Sequence, residues 1–246
     1  MNKFFFSKAW FLNLLCFFFF VGSTHASGLQ ISPVRLFFNS KTKVVAFSIR
    51  NLTEQPVLLQ TSIKKWQQKN QKEIYFAQSE LLVAPPIVQI KPGERQTFRV
   101  ALRKVLPALK EEKTYRLFLQ EVITEKQKKQ RGLHFAVRVG LPIFIEPQII
   151  EPTKLSWKLQ KSSTGFALTA TNLTNHHVQI TKISVGADDH GQMVVDKKVF
   201  QYLLANRSYT WRLSKKDFKS SHKKGELKII KVVTDFGGLK FPLAIS

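Results

Sequence analysis

The sequence predicts an all-β chain built as two sandwich domains. Three observations carry that prediction. Apolar and polar residues alternate with period two in short runs, turn residues separate the runs at sandwich spacing, and no long segment sustains a helical period. The one helical candidate, 105–113, contains Pro107 and reads as a loop.

In the first half the predicted strands are 29–38, 43–50, 57–66, 96–102, 114–123 and 132–147. The last of these, "GLHFAVRVGLPIFIEP", alternates most rigorously. Leu133, Phe135, Val137, Val139, Leu141, Ile143 and Ile145 fall on one face, with His134, Ala136, Arg138, Gly140, Pro142 and Phe144 between them. Pro142 has no N–H to donate, which places the strand at a sheet edge. Proteins blunt long apolar edges because such edges recruit other chains. Thirteen alternating residues exceed the usual five or six, and the preceding "EKQKKQRG" is charged enough to hold its tip in solvent. The competing reading is the inward face of an ordinary sandwich, which alternates in the same way.

Two Glu-Pro pairs, Glu146-Pro147 and Glu151-Pro152, interrupt regular structure. Strands resume at 155–159, 166–171, 178–184, 209–213, 226–233 and 240–245. A faint repeat links the halves: "FSIRNLTEQPVLLQTSI" and "LTATNLTNHHVQITKI" both run strand, Asn-Leu-Thr turn, strand. Each half has the size of one immunoglobulin-like sandwich, without the Cys, Trp, Cys pattern of antibody domains. The expected division is 1–26 as a leader, 27–146 as the first domain and 147–246 as the second.

The leader reads as a secretory signal. Lys3 and Lys8 form a positive start, residues 10–21 form an apolar core, and Thr24-His25-Ala26 offers small residues for cleavage. That core is short for a membrane span, and no later stretch is apolar for long enough, so the expectation is an exported chain that does not span a membrane. The single cysteine, Cys16, lies within the leader, which leaves the mature chain without disulfides. The formal charge is +23, or +21 once Lys3 and Lys8 are removed. Export and the scatter of lysines in pairs argue against nucleic acid and for a solvated basic surface, with an acidic partner or lipid as the other reading.

No convergent acid, base and nucleophile set points to an enzyme, and no cofactor is expected. His134 reads as a surface residue. His176 and His177 are neighbours, so on a strand they diverge and do not share a metal ion; Asp188-Asp189-His190 reads as a hairpin turn. The Asn51, Asn172 and Asn206 sequons matter only in a host that glycosylates them.

Six segments, in order, resemble the periplasmic chaperones of the chaperone/usher pathway, which build pili and fimbriae. They are "ISPVRLFF", "IRNLTEQPVLLQTSI", "LLVAPPIVQIKPGERQTFRVAL", "EKTYRLFLQEV", "FAVRVGLPIFIEP" and "TDFGGLKFPL". The resemblance implies two immunoglobulin-like domains in an L, pilus or fimbrial subunits and an outer-membrane usher as partners, and a periplasmic location. It also implies that the last strand of the first domain is lent to an incomplete subunit, with Leu133, Phe135, Val137, Val139, Leu141 and Ile143 as donor residues. A free chaperone that caps this strand by pairing with a second copy is a further expectation.

Two departures stand out. Conventional members hold the subunit's terminal carboxylate with two basic residues; Arg35 matches the first, but Pro142 stands where the second, a lysine, is expected. Arg138 and Arg99 are the candidate replacements. Conventional members also place an arginine before the linker proline to pair with an aspartate of the second domain. Here Glu146 precedes Pro147 while Asp235 matches the aspartate, so another cation, such as a lysine, must set the joint. These departures resemble the archaic branch of the family. The alternative function is an exported two-domain adhesin that uses basic patches to hold anionic glycans or lipids.

Overall fold

The computed structural model describes residues 28–104, 107–123, 136–162, 165–186, 193–217 and 227–245. Four sheets form two sandwiches. In the first, one sheet runs β1 (Leu29–Ser32), β3 (Val44–Asn51), β8 (Arg95–Leu102), β6 (Leu81–Ala84). The facing sheet runs β2 (Leu36–Phe38), β10 (Arg138–Ile145), β9 (Lys113–Glu121), β4 (Val57–Lys69), β5 (Lys72–Phe76), and β7 (Ile87–Ile90) also pairs with β4. Inward side chains of both sheets, among them Phe38, Phe47, Ile49, Phe98, Tyr115, Leu117 and Ile143, make a single core.

The second sandwich pairs β15 (Ser208–Ser214), β12 (Gly165–Asn172), β11 (Leu155–Ser162) and β18 (Ala244–Ile245) in one sheet. Its other sheet runs β14 (Val195–Leu203), β13 (Val178–Gly186), β16 (Ile229–Thr234), β17 (Gly237–Pro242). Trp157, Leu168, Ile180, Val185, Trp211 and Ile230 lie in its core. The only helix among the described residues is a 3-10 turn at Lys215–Asp217.

The predicted strand 29–38 divides at Pro33, and the two pieces join opposite sheets: β1 pairs antiparallel with β3, whereas β2 pairs parallel with β10. Four strands carried no legible period. β5 is largely exposed, β6 and β7 have four residues each around Pro85-Pro86, and β14 is rich in polar residues.

The Asn-Leu-Thr echo is a shared structural device. Asn51 and Asn172 are fully buried. The Asn51 amide donates to the carbonyls of Gln55 (2.8 Å) and Ile90 (3.0 Å), and its Oδ1 accepts from the N–H and hydroxyl of Thr53 at 2.9 and 2.7 Å. Asn172 donates to the carbonyls of His176 (2.7 Å) and Leu203 (3.1 Å), and its Oδ1 accepts from the N–H and hydroxyl of Thr174 at 3.1 and 2.6 Å. Each asparagine ties a turn to a neighbouring strand from inside the fold, so neither amide is available to a glycan.

Candidate functional site

The edge predicted at Pro142 is present. β10 pairs with β9 from Arg138 to Ile145, but β2 covers its other side only from Ile143 to Ile145. Among the described residues, Arg138 to Pro142 therefore have no strand on that side. Pro142, lacking an N–H, sits where the covered and open stretches meet. The chain before β10 still follows β9, since the Glu121 N–H donates to the Val137 carbonyl at 2.9 Å.

The apolar row emerges from the core toward this open end. Ile143 is 0% exposed and Leu141 3%, Val139 packs partly buried against the core, and Val137 is 47% exposed. This corrects the expectation for Leu141 and Ile143: they fill the chain's own sandwich and are not free to fill another. Leu133, Phe135 and His134 lie outside the described residues, as do residues 1–27, where the leader is expected, and Asp188-Asp189-His190, expected as a turn.

At its other end β10 is buried on both faces, because the second sandwich covers the outer one. Trp66, Phe144, Tyr202 and Leu204 form a buried cluster drawn from both sandwiches. The Phe144 ring stacks on His177 with centroids 3.5 Å apart and planes at 7°, and on Phe37 at 5.5 Å. Gln68 bridges across the joint: its amide donates to the Tyr202 carbonyl at 2.8 Å and its Oε1 accepts from the Leu204 N–H at 3.0 Å.

The charges beside this cluster explain the departure at Glu146. The cations that the joint brings against its carboxylates are an arginine and a histidine. His177 donates its backbone N–H to Glu112 Oε2 at 3.0 Å, and its Nδ1 lies 2.9 Å from both Glu112 oxygens. Its Nε2 lies 3.5 Å from Asp235 Oδ2. Arg35 donates through Nη1 to Asp235 Oδ2 and to Gln179 Oε1, each at 3.2 Å. Burial alone would lower the His177 pKa, but Asp235 and Glu112 outweigh it and hold the value above the ordinary one. Burial would raise Asp235, yet His177 and the Gln179 N–H hold its carboxyl low. Glu146 is pushed up by burial and by Glu112, with His177 partly offsetting both.

The three candidate anchors separate. Arg35 faces the cleft between the sandwiches. Arg138 lies exposed on the open edge, with its guanidinium 4.2 Å over the Phe118 ring. Arg99 is excluded: Phe98 and Val100 on either side point into the core, so Arg99 points outward from the opposite sheet.

A basic residue that the sequence reading did not single out lies beside the joint. Arg116 of β9 is the cross-strand partner of Pro142, and its guanidinium lies 3.9 Å over the Trp66 ring. Burial raises the Tyr202 pKa, and the positive charges of Arg35 and Arg116 both pull against it. The available signal was the lone basic residue among Tyr115, Leu117 and Leu119 on an alternating strand. Only the register with β10 shows that it stands opposite the missing lysine.

Among the described residues no three His, Cys, Asp or Glu side chains gather to hold a metal ion. No helix among them is long and apolar enough to cross a membrane.

Residues 28–151 match the family model described as the N-terminal domain of PapD, pili and flagellar-assembly chaperone. An uncharacterized fimbrial chaperone of Escherichia coli K12, YhcA, is 26% identical over 160 residues, covering 65% of this chain and 68% of that protein. A chain in the CsuC-CsuE chaperone-tip adhesion subunit pre-assembly complex, from archaic chaperone-usher Csu pili of Acinetobacter baumannii, superposes with a TM-score of 0.66 at 20% identity, over 89% of this chain and all of that one. A chain from the complex of SafA pilin with the SafB chaperone of Salmonella enterica gives 0.60 at 18% identity, over 90% and 99% of the two chains.

Proposed function

We propose that this chain, which belongs to the family of pili and flagellar-assembly chaperones, captures an incomplete pilus or fimbrial subunit by lending it the open edge of β10. The family is non-enzymatic, and the proposed work is likewise binding. One observation carries the reading: an apolar row leaves the core along a strand whose outer backbone, from Arg138 to Pro142, has no strand partner among the described residues. A partner's strand added there would take up the free N–H and C=O groups, while Val137, Val139 and the preceding Leu133 and Phe135 would enter its groove.

In this reading the subunit's terminal carboxylate enters the cleft and is held between Arg35 and Arg116, with the Tyr202 hydroxyl as a third donor. Arginine grips a carboxylate through paired N–H groups, which a lysine does not match. Delivery to an outer-membrane usher within the periplasm completes the role.

The test is affinity purification of the mature chain from its host's periplasm at about 0.5 M salt, which screens exposed charges beyond a few ångströms. The expected result is a stoichiometric small β-rich secreted protein that is lost from Val137→Asp and from Arg116→Ala, with both variants still folded. Retention by both variants would overturn the strand-donor reading. A partner lost on adding salt alone would point to adhesion through the basic surface.

A further inference from the structure

Both ring nitrogens of His177 face carboxylates that belong to different sandwiches. Nδ1 lies 2.9 Å from Glu112 of the first, and Nε2 lies 3.5 Å from Asp235 of the second. A neutral imidazole has only one N–H, so its bare nitrogen must turn a lone pair toward one of those carboxylates; the imidazolium offers a donor to each. We propose that protonation of His177 locks the two sandwiches together, so that the joint is firm in mildly acidic solution and loosens as the solution becomes alkaline.

Among the described residues, no other titratable group lies between carboxylates of both sandwiches. The His177 side chain is 3% exposed. It is enclosed by the rings of Phe37 and Phe144 from the first sandwich and of Tyr202 and Phe236 from the second. The charged groups around it are Glu112 ahead of β9, Glu146 after β10, Asp235 in the β16–β17 turn and Arg35 in the β1–β2 connection, with His176 beside it in sequence. Arg35 already binds Asp235. With His177 neutral, three carboxylates face one guanidinium across the joint; with it charged, the imbalance falls to one.

Titration follows the geometry. The two carboxylates overcome the burial that would lower His177. His176 is shifted the other way, chiefly by burial, and so is already neutral where His177 changes state. A group whose folded pKa is raised contributes stability that is complete below its unfolded value, near 6.5, and lost as pH rises through the folded value. Glu146, also raised, has the same sign at lower pH. The root of β10 shares the change, because Phe144 stacks directly on the titrating ring.

The experiment is a pH series from about 6 to about 9 on the mature chain. It follows the His177 ring by NMR, together with amide exchange protection at His177 and Leu204, whose N–H groups are donated across the joint. The expected midpoint lies above 6.5 and moves toward acid in Glu112→Gln. Protection at both amides should fall through that midpoint while amides within β12 hold theirs, and His177→Gln should show no such step. A midpoint at or below 6.5, or protection that changes equally at the joint and in β12, would overturn the proposal. Should His177→Gln fail to fold, the native chain and Glu112→Gln still decide the matter.

Discussion

Replacing Phe144 with alanine tests whether the joint is a packed interface or a loose contact. The ring is 0% exposed, and its enclosure is shared: Trp66 and Phe37 belong to the first sandwich, His177 and Tyr202 to the second. Deleting a buried phenylalanine side chain costs about 3 to 5 kcal/mol where the surroundings cannot collapse. The 3.5 Å stack on His177 argues for the upper half, because an imidazole held at 2.9 Å by Glu112 cannot follow the vacated volume. Phe37, 42% exposed at the same joint, is the internal control. Its partial burial predicts a loss of about 1 kcal/mol on Phe37→Ala. The assay is urea unfolding followed by near-ultraviolet circular dichroism and by tryptophan fluorescence, since Trp66 reports on the joint and the Trp157–Trp211 pair on the second core. The Trp66 signal should move first and furthest. A Phe144→Ala loss no larger than that of Phe37→Ala, or coincident shifts of all probes, would refute the claim that this ring couples the sandwiches.

Asn172→Ala should cost about 2 to 4 kcal/mol, because it takes their asparagine partner from the buried Leu203 carbonyl and the Thr174 N–H and leaves the His176 carbonyl only the Thr174 hydroxyl; differential scanning calorimetry should show the second sandwich melting earlier, and an unchanged midpoint would sink the account. At the acid end, Asp235 is held low, so its contribution is complete above an unfolded value near 4 and is lost as pH falls through the folded one. Native Asp235→Asn should therefore be less stable than the parent at neutral pH and converge with it in strong acid, as read by thermal melts; a constant gap across the range would contradict this.

What the sequence disclosed depended on whether one face of a strand stayed in water. β10 was readable as an edge strand because its alternation and Pro142 are local properties. Its outer face was not, since Phe144 and Pro142 occupy positions that read as solvent-facing until a second sandwich covers them. Trp66 escaped for the same reason: inward burial along β4 runs from Val57 to Ile63, then passes to the opposite face where the second sandwich arrives. The clamp itself lay beyond reach. Glu112, His177 and Asp235 are far apart in the chain, and the adjacent histidines suggested at most a metal question. The lysine expected at the joint was the wrong cation, because a buried site between two carboxylates favours groups whose shape fits it, here an imidazole stacked on Phe144 and a guanidinium with directed donors. Arg99 failed as an anchor on a point of sheet identity, which alternation within one strand does not disclose.

Arg35 connects the joint to the proposed cleft. Its contacts to Asp235 and Gln179 both come from Nη1, while a guanidinium carries five N–H donors. Holding one nitrogen on the second sandwich fixes the fork's plane without spending the donors that a carboxylate would use. Arg116, laid over Trp66, is restrained by stacking in the same way. Long basic side chains lose up to about 1.5 kcal/mol each in rotamer freedom when a ligand orders them, and two already ordered by the fold avoid most of that cost. The joint that aligns the sandwiches therefore also orders the side chains proposed as the anchor. On the proposed reading, loosening it at His177 would weaken subunit binding even though His177 touches no subunit atom, because sandwiches that part draw Asp235 and Gln179 away from Arg35.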